Sequence, residues 1–139
     1  MGDTIFDKII RREIPADIIY EDGEMIAFLD INPVNPGHTL VVPKRFARNL
    51  LDADETILAA VMKTAQKVAR AQRGSLGAEG VNIIINNEPS SGQLVFRLHL
   101  HVIPRFLNDG FRHWPGRPYA PGEADTIAAK LRSVLEVKS

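Results

Sequence analysis

The chain has 139 residues, the length of one domain, and its 45% hydrophobic and 24% charged residues are typical of a soluble globular protein. Its 17 Lys and Arg residues balance its 17 Asp and Glu residues, so bulk charge does not favour binding to nucleic acid. The chain has no cysteine, which excludes disulfides, thiol catalysis and cysteine-ligated zinc.

The N-terminal residues 1–10 are amphipathic and charged, and they lack the apolar core of a signal peptide. No apolar run approaches the ~20 residues that a membrane-spanning helix needs. We therefore expect a cytoplasmic protein that has no membrane partner and no nucleic-acid partner.

The first half of the chain predicts a helix, a hairpin and a strand. A capping box of Thr4 and Asp7 opens a short helix with apolar residues at helical spacing. The β-rich segments 17–20 and 25–29 flank a turn that contains glycine, which indicates a hairpin. Residues 39–42 form a short buried strand, which is closed by a proline.

The second half predicts a helix, two strands and a final helix. The apolar stripe between residues 57 and 69 has the spacing of an amphipathic helix, and 81–85 and 94–103 have the composition of strands. Residues 105–121 form an extended segment rich in Pro and Gly, and 122–137 form the C-terminal helix. Because hairpins dominate, we expect one domain over residues 1–139 with an α+β fold, a mainly antiparallel sheet packed with helices.

The strand predicted at 94–103 carries an unusual pattern, because side chains alternate between the two faces of a strand. One face is apolar and is expected to enter the core: Phe96, Leu98, Leu100 and Val102. The other face carries Arg97, His99 and His101. The spacing alone is compatible with a functional site and with a solvated outer face.

Two neighbouring features favour a site. Gly92 and Gln93 enter the predicted strand from a loop of the kind that turns backbone N–H groups toward an anion. His38 stands at the start of the strand 39–42, next to a Pro-Gly loop. Whether His38 converges on His99 is left open by the sequence.

Residues 97–103, Arg-Leu-His-Leu-His-Val-Ile, resemble the histidine triad signature, in which three histidines alternate with apolar residues. The resemblance extends over most of the chain, through the segments 4–10, 13–16, 27–33 and 37–44 and through Asn86 with Gly92-Gln93. By the order and spacing of these segments the chain is identified as a member of the histidine triad superfamily, of a bacterial type with Arg97 at the first triad position.

This resemblance implies a fold, a partner and a reaction. Family members have a mainly antiparallel five-stranded sheet with flanking helices, and most form homodimers. They bind purine nucleotides and cleave nucleoside phosphoramidates or dinucleoside polyphosphates at the α-phosphorus without a cofactor. His99 matches the nucleophile that forms a nucleotidyl-histidine intermediate, and His101 matches the residue that stabilises the transition state. Gln93 matches the contact near the leaving group, and His38 matches the histidine beside the nucleophile.

The resemblance also implies a nucleotide-binding set. Asp30 matches the carboxylate that binds the ribose hydroxyls, although a turn residue before Asn32 is an alternative interpretation. Asn86 matches a polar contact near the ribose and phosphate. Four apolar residues resemble a clamp around the base, and ordinary core packing is compatible with the same positions: Ile5, Phe6, Phe28 and Ile31.

Arg97 departs from the signature, which has histidine at that position. It either binds a phosphate of a longer substrate, or packs and points to solvent without a direct chemical role, or impairs activity and leaves a non-catalytic nucleotide sensor. A further alternative is a metal hydrolase, in which His38, His99 and His101 ligate Zn²⁺ and activate water.

Overall fold

The computed structural model describes residues 3–135, which fall into two compact units that divide between Asp109 and Gly110. The first unit contains two helices, a 3₁₀ turn and five strands: α1 (Ile5–Ile10), β1 (Ile18–Glu21), β2 (Met25–Leu29), β3 (Thr39–Pro43), α2 (Glu55–Leu76), β4 (Gly80–Ile84), the turn Pro89–Ser91 and β5 (Leu100–Arg105). The second unit contains α3 (Glu123–Leu135).

The five strands form one sheet in the order β1-β2-β3-β5-β4, and every neighbouring pair is antiparallel. This confirms the α+β fold with a mainly antiparallel sheet and flanking helices. The register places Phe28 opposite Leu40, Leu40 opposite His101, and His101 opposite Ile84. A row of side chains on one face therefore runs from β2 to His101 of β5.

The strand alternation divides the core into two layers. On one face β2, β3 and β5 pack with α2, through the buried residues Met25, Ala27, Val41, Ala47, Ile57, Val61, Ala65, Val68, Leu98, Leu100 and Val102. On the other face β2 and β3 pack with α1, through Phe6, Ile9, Ile26, Phe28, Leu40 and Val42. As predicted, Leu98, Leu100 and Val102 enter the core, which leaves His99 and His101 on the α1 face.

Helix α1 is only six residues long and depends on its cap and its packing. The hydroxyl of Thr4 accepts from the N–H of Asp7 at 3.2 Å, and the carboxylate of Asp7 accepts from the N–H of Thr4 at 2.7 Å. This reciprocal capping box was predicted from the sequence. Burial of Phe6 and Ile9 then fixes the helix against the sheet.

The prediction of one strand over 94–103 is wrong at both ends. The chain bends at 95–97, and β5 begins only at Leu100, because the N–H of Leu98 donates to the carbonyl of Ala47 instead of joining the sheet. Phe96 is therefore 37% exposed, whereas a place in the core was expected. Pro104 does not end β5, because pairing with β3 stops at Val102 and the missing N–H at position 104 faces no strand on that side.

The C-terminal segments agree in kind with the expectation. Arg105 belongs to β5, residues 111–120 have no regular secondary structure, and α3 begins at Glu123. Positions 136 and 137 of the predicted helix lie outside the described residues. Within residues 3–135, no helix is long and apolar enough to cross a membrane.

Candidate active site

A cavity of about 520 Å³ opens on the α1 face of the sheet. Its walls are apolar over most of their area: Ile5, Phe6, Ile9, Ile14, Pro15, Ala16, Phe28, Leu29, Ile31, Leu40, Gly92, Leu94 and Val95. Its polar lining is Asp30, Asn32, Asn86, His99 and His101. The size and the mixture of apolar walls with a few polar groups are those of a small-molecule site.

The structure brings most of the predicted site residues to this cavity. Those that line it are Ile5, Phe6, Phe28, Asp30, Ile31, Asn86, His99 and His101. Sequence reasoning missed Ile9 and Leu40 among the lining residues. Ile9 had a usable signal, because it follows Ile5 by one helical turn. Leu40 had none in the local sequence, because its position opposite Phe28 depends on how β2 pairs with β3.

The tautomer of His99 is set by the backbone. Its Nδ1 lies 2.7 Å from the carbonyl oxygen of Arg97, and a carbonyl can only accept a hydrogen bond. Nδ1 therefore carries the proton of the neutral ring, and Nε2 keeps a free lone pair. The ring of Phe6 packs edge-on against the imidazole with 4.9 Å between centroids, which restricts its rotation.

His38 sets the opposite tautomer in His101. The backbone N–H of Val34 donates to Nδ1 of His38 at 3.0 Å, so the proton of this imidazole lies on Nε2. That nitrogen lies 2.9 Å from Nδ1 of His101 and donates to it. His101 therefore carries its own proton on Nε2. The cavity is lined by one imidazole with a free Nε2 lone pair, His99, and one with an Nε2 donor, His101.

These tautomers require neutral rings, and the surroundings favour neutral rings. Burial lowers the pKa of His38 and of His99. The carboxylate of Asp30 opposes this effect in part for His38, and the carbonyl of Arg97 together with Asp30 opposes it in part for His99. Burial together with the neighbouring His99 and His38 lowers the pKa of His101 to about 4. All three imidazoles are consequently uncharged near neutral pH.

Asp30 lies at the meeting of two strand ends. Its N–H donates to the carbonyl of His38 at 2.9 Å, which joins the end of β2 to the start of β3. One carboxylate oxygen accepts from the N–H of Asn32 at 2.9 Å, and the other lies 3.7 Å from Nε2 of His38. Asp30 is thus a turn residue and a cavity-lining residue together.

The side chain of Gln93 hydrogen-bonds to the loops around it and does not line the cavity. Its carbonyl accepts from the side chain of Asn49 at 3.0 Å and from the N–H of Glu88 at 2.8 Å. Its NH₂ donates to the carbonyls of Arg48 and Val95. The amide therefore ties the loop before β5 to the segment before α2, a role that nothing in the local sequence indicated.

The loop at 88–93 also uses its own N–H groups. The N–H groups of Ser91 and Gln93 donate to the carbonyl of Glu88, and that of Gly92 donates to the carbonyl of Pro89. These three groups are committed within the loop. They are therefore not free for an anion, whereas His101 and Asn86 line the cavity with side-chain donors.

Arg97 is also absent from the cavity lining and is only 3% exposed. Its guanidinium pairs with the carboxylate of Asp7 at 2.7 Å and donates to the carbonyls of Pro43 and Lys44. Among the three alternatives for Arg97, the structure agrees with packing away from the substrate, although toward the interior and not toward solvent.

Three side chains offer ligand atoms within 4.8 Å of one another and could hold a metal ion: Asp30, His38 and His101. This set differs from the expected one, in which His99 was a ligand. The nearest nitrogens of His38 and His101 are 2.9 Å apart, whereas two nitrogens on one tetrahedral Zn²⁺ lie roughly 3.3 Å apart. The pair is spaced for sharing a proton.

Comparison with known proteins gives the relationship directly. Residues 11–108 match the HIT domain family. Protein hit of Bacillus subtilis is 42% identical over 135 residues, 94% of this chain and 93% of the relative. A crystal structure from Streptococcus mutans is similar with a TM-score of 0.90 and 38% identity, covering 97% of this chain and 87% of that chain. A Zn-bound histidine triad family protein from Mycobacterium smegmatis is similar with a TM-score of 0.74 and 38% identity, covering 94% and 96%. By this extended match in sequence and in structure, the chain belongs to the HIT family.

Proposed function

We propose that this protein is a nucleotide-binding hydrolase that cleaves purine nucleoside phosphoramidates or dinucleoside polyphosphates at the α-phosphorus. The reaction runs through a nucleotidyl-histidine intermediate on His99. One observation carries the proposal: hydrogen bonds leave Nε2 of His99 as a lone pair and Nε2 of His101 as a donor, and both residues line one cavity.

The two nitrogens supply the two functions that displacement at phosphorus needs. The lone pair of His99 forms an Nε2–P bond, and the P–N or P–O bond to the leaving group breaks with its electron pair on the leaving group, which takes a proton from solvent when it is an amine. The Nε2–H of His101 donates to the phosphoryl oxygen as negative charge develops there. Water then attacks the same phosphorus and loses a proton to solvent, the N–P bond breaks with its electron pair on Nε2, and the nucleoside monophosphate leaves a free His99.

Binding is assigned to other groups. The apolar walls formed by α1 and β2, including Phe6 and Phe28, enclose the base, and Ile31 covers it from the rim. Asp30 still has acceptor capacity beside its hydrogen bond to Asn32 and accepts from the ribose hydroxyls. Asn86 donates to the ribose or phosphate. Because these groups are distinct from His99, binding and chemistry are separable by mutation.

This separation gives a direct test. The His99→Ala variant is expected to bind a purine nucleoside monophosphate like the wild type and to lose turnover by at least roughly 10³-fold, since it lacks the nucleophile. Isothermal titration with the monophosphate measures binding. Turnover is followed on a panel that crosses adenosine and guanosine with amide and pyrophosphate linkages. Unimpaired turnover by the variant, on any substrate that the wild type cleaves, contradicts the proposal.

The two alternative functions are outcomes of the same experiments. A nucleotide sensor binds nucleotide without turnover in the wild type. That alternative was suggested by arginine at the first triad position, and Arg97 lies outside the cavity lining. A metal hydrolase loses activity on treatment with a chelator and regains it with Zn²⁺, which elemental analysis checks. Four expectations from the sequence stay predictions: the homodimer, the cytoplasmic location, the single domain over 1–139, and the bacterial type with arginine at the first triad position.

A further inference from the structure

We infer that Arg97 is a positioning residue for His99, and that its ion pair with Asp7 is a brace between α1 and the backbone that orients the nucleophile. The inference rests on the proposed function, because it assigns to Arg97 the alignment of the nitrogen that attacks phosphorus. The side chain of Arg97 contacts α1 and the end of β3, whereas its backbone carbonyl contacts His99.

The side chain of Arg97 joins three segments. One terminal nitrogen donates to Asp7 in α1 at 2.7 Å, and the other donates to the carbonyl of Pro43 at 2.9 Å and to that of Lys44. The ring of Phe46 lies 5.7 Å from the guanidinium carbon. The first helix and the end of β3 are thus held to the bend that precedes β5.

The backbone of the same residue carries the constraint to the site. The carbonyl oxygen of Arg97 accepts from Nδ1 of His99 at 2.7 Å, which is the bond that fixes the tautomer. Residue 97 lies in a bend with no sheet pairing to hold it. The peptide that bears this carbonyl is held through its N–H, which Leu98 donates to the carbonyl of Ala47 at 2.8 Å. The guanidinium contacts hold the other side of residue 97, and the two constraints together take the place of strand hydrogen bonds.

The brace also reaches His99 from the other side. Asp7 follows Phe6, whose ring packs edge-on against the imidazole of His99, and both belong to α1. Movement of α1 away from Arg97 would consequently remove one of the constraints on the carbonyl that holds Nδ1, and it would withdraw the ring that limits rotation.

Stability alone does not account for a buried arginine here. Arg97 is 3% exposed, and its Nε has no hydrogen-bond partner among the described residues. Buried ion pairs are often no more stabilising than apolar residues of similar volume, because the charges lose their hydration. An apolar residue cannot replace the planar guanidinium, which donates to one carboxylate and two carbonyls in a fixed geometry.

The test begins with Asp7→Asn, which places an NH₂ or a neutral oxygen where Arg97 needs a carboxylate. We expect kcat to fall roughly 10- to 100-fold with a smaller change in KM, since the nucleophile is misaligned while the cavity walls remain. Thr4→Ala is the matched control. It loosens the same helix and removes the hydrogen bond from the Thr4 hydroxyl to the Asp7 carboxylate, but it leaves the charge of Asp7 opposite Arg97, so its kcat is expected to fall clearly less than that of Asp7→Asn.

A spectroscopic readout separates this inference from the proposed function. Nitrogen-15 NMR of the His99 ring reports which nitrogen carries the proton, without any turnover. We expect a single tautomer with the proton on Nδ1 in the wild type and in Thr4→Ala, and a mixture in Asp7→Asn. A single Nδ1-H tautomer in Asp7→Asn overturns the brace even if His99 proves to be the nucleophile. Absence of a nucleotidyl adduct on His99 in the wild type overturns the function and leaves the tautomer result intact.

A double variant covers the case in which Asp7→Asn is too unstable to assay. Asp7→Asn with Arg97→Met removes both charges and keeps a side chain of similar length, so the melting temperature is expected to recover toward that of the wild type. The inference predicts that kcat stays low and the tautomers stay mixed in this double variant. Recovery of kcat together with the melting temperature shows that Arg97 only satisfies Asp7, and it overturns the positioning role.

Discussion

At the scale of single residues, one backbone N–H determines the protonation of two imidazoles. Val34 donates to His38, which forces the proton of His38 to face His101, which in turn moves the proton of His101 to its far nitrogen. The rings of His38 and His101 lie 5.2 Å apart and those of His99 and His101 lie 5.0 Å apart. The three imidazoles are therefore in mutual contact, although among them only His99 and His101 line the cavity.

This relay predicts a difference between two substitutions of His38. His38→Gln keeps an N–H donor that can reach Nδ1 of His101, whereas His38→Leu removes the donor and leaves that nitrogen free to take the proton. We expect kcat to fall roughly 10- to 100-fold in the leucine variant and clearly less in the glutamine variant. Steady-state kinetics on one phosphoramidate substrate measure both. Equal losses in the two variants would show that the donor of His38 has no role.

The same residues show what the sequence could reveal. Alternation alone predicted that His99 and His101 share a face opposite Leu98, Leu100 and Val102, and this is confirmed. The local pattern could not reveal that Arg97 stays out of the cavity lining, because its partners Asp7 and Pro43 are far away in the sequence. The use of the Gln93 amide as a loop tie was hidden for the same reason, since its partners include Arg48 and Asn49.

At the scale of elements, the site depends on the antiparallel pair β2–β3, on strand β5 and on the very short helix α1. The end of β2 and the start of β3 bring Asp30 beside His38 through one backbone hydrogen bond. Strand β5 then pairs with β3 so that His101 lies opposite Leu40. Helix α1 closes the cavity, and its position depends on its cap and on two buried side chains.

The cap of α1 gives a prediction for stability. Thr4→Ala is expected to lower the free energy of unfolding by about 1 kcal/mol, because the N–H of Asp7 loses its acceptor. Thr4→Ser keeps the hydroxyl and is expected to lose only a few tenths of that value. Urea unfolding followed by circular dichroism measures both. An alanine variant as stable as the serine variant would show that the capping box does not contribute.

The elements were more predictable than their assembly. The capping box, the hairpin and the long helix follow from residues close in sequence, and each is confirmed within a few residues. The strand order β1-β2-β3-β5-β4 depends on which edges meet, and no local pattern specifies that β5 lies between β3 and β4. The cavity exists because of that order.

At the scale of the whole molecule, the neutral histidines link stability to pH. His101 has a folded-state pKa of about 4, below its unfolded value near 6.5, so the unfolded chain binds the proton first as pH falls. The stabilisation that comes from a neutral His101 is complete above pH 6.5 and is lost as the pH falls from there toward 4. The lowered pKa values of His38 and His99 act in the same direction.

Unfolding in urea at a series of pH values between 7 and 4 measures this loss. The His101→Gln variant cannot titrate at that position and is expected to show a smaller decrease in stability over the same range. The carboxylates with lowered pKa values, such as Asp7, lose their contribution mainly below this window. If the variant shows the same pH dependence as the wild type, the neutral state of His101 is not what links folding to pH.

The central claim is that His99 attacks phosphorus, and a trapped adduct tests it most directly. The wild-type protein is mixed with a purine nucleoside phosphoramidate, quenched within the first turnover and digested under conditions that preserve P–N bonds. Mass spectrometry of the peptide that contains residues 97–105 is expected to show one added nucleoside monophosphate on His99, and none in His99→Ala. Turnover by the wild type with no adduct on His99, or with the adduct on another residue, would contradict the account.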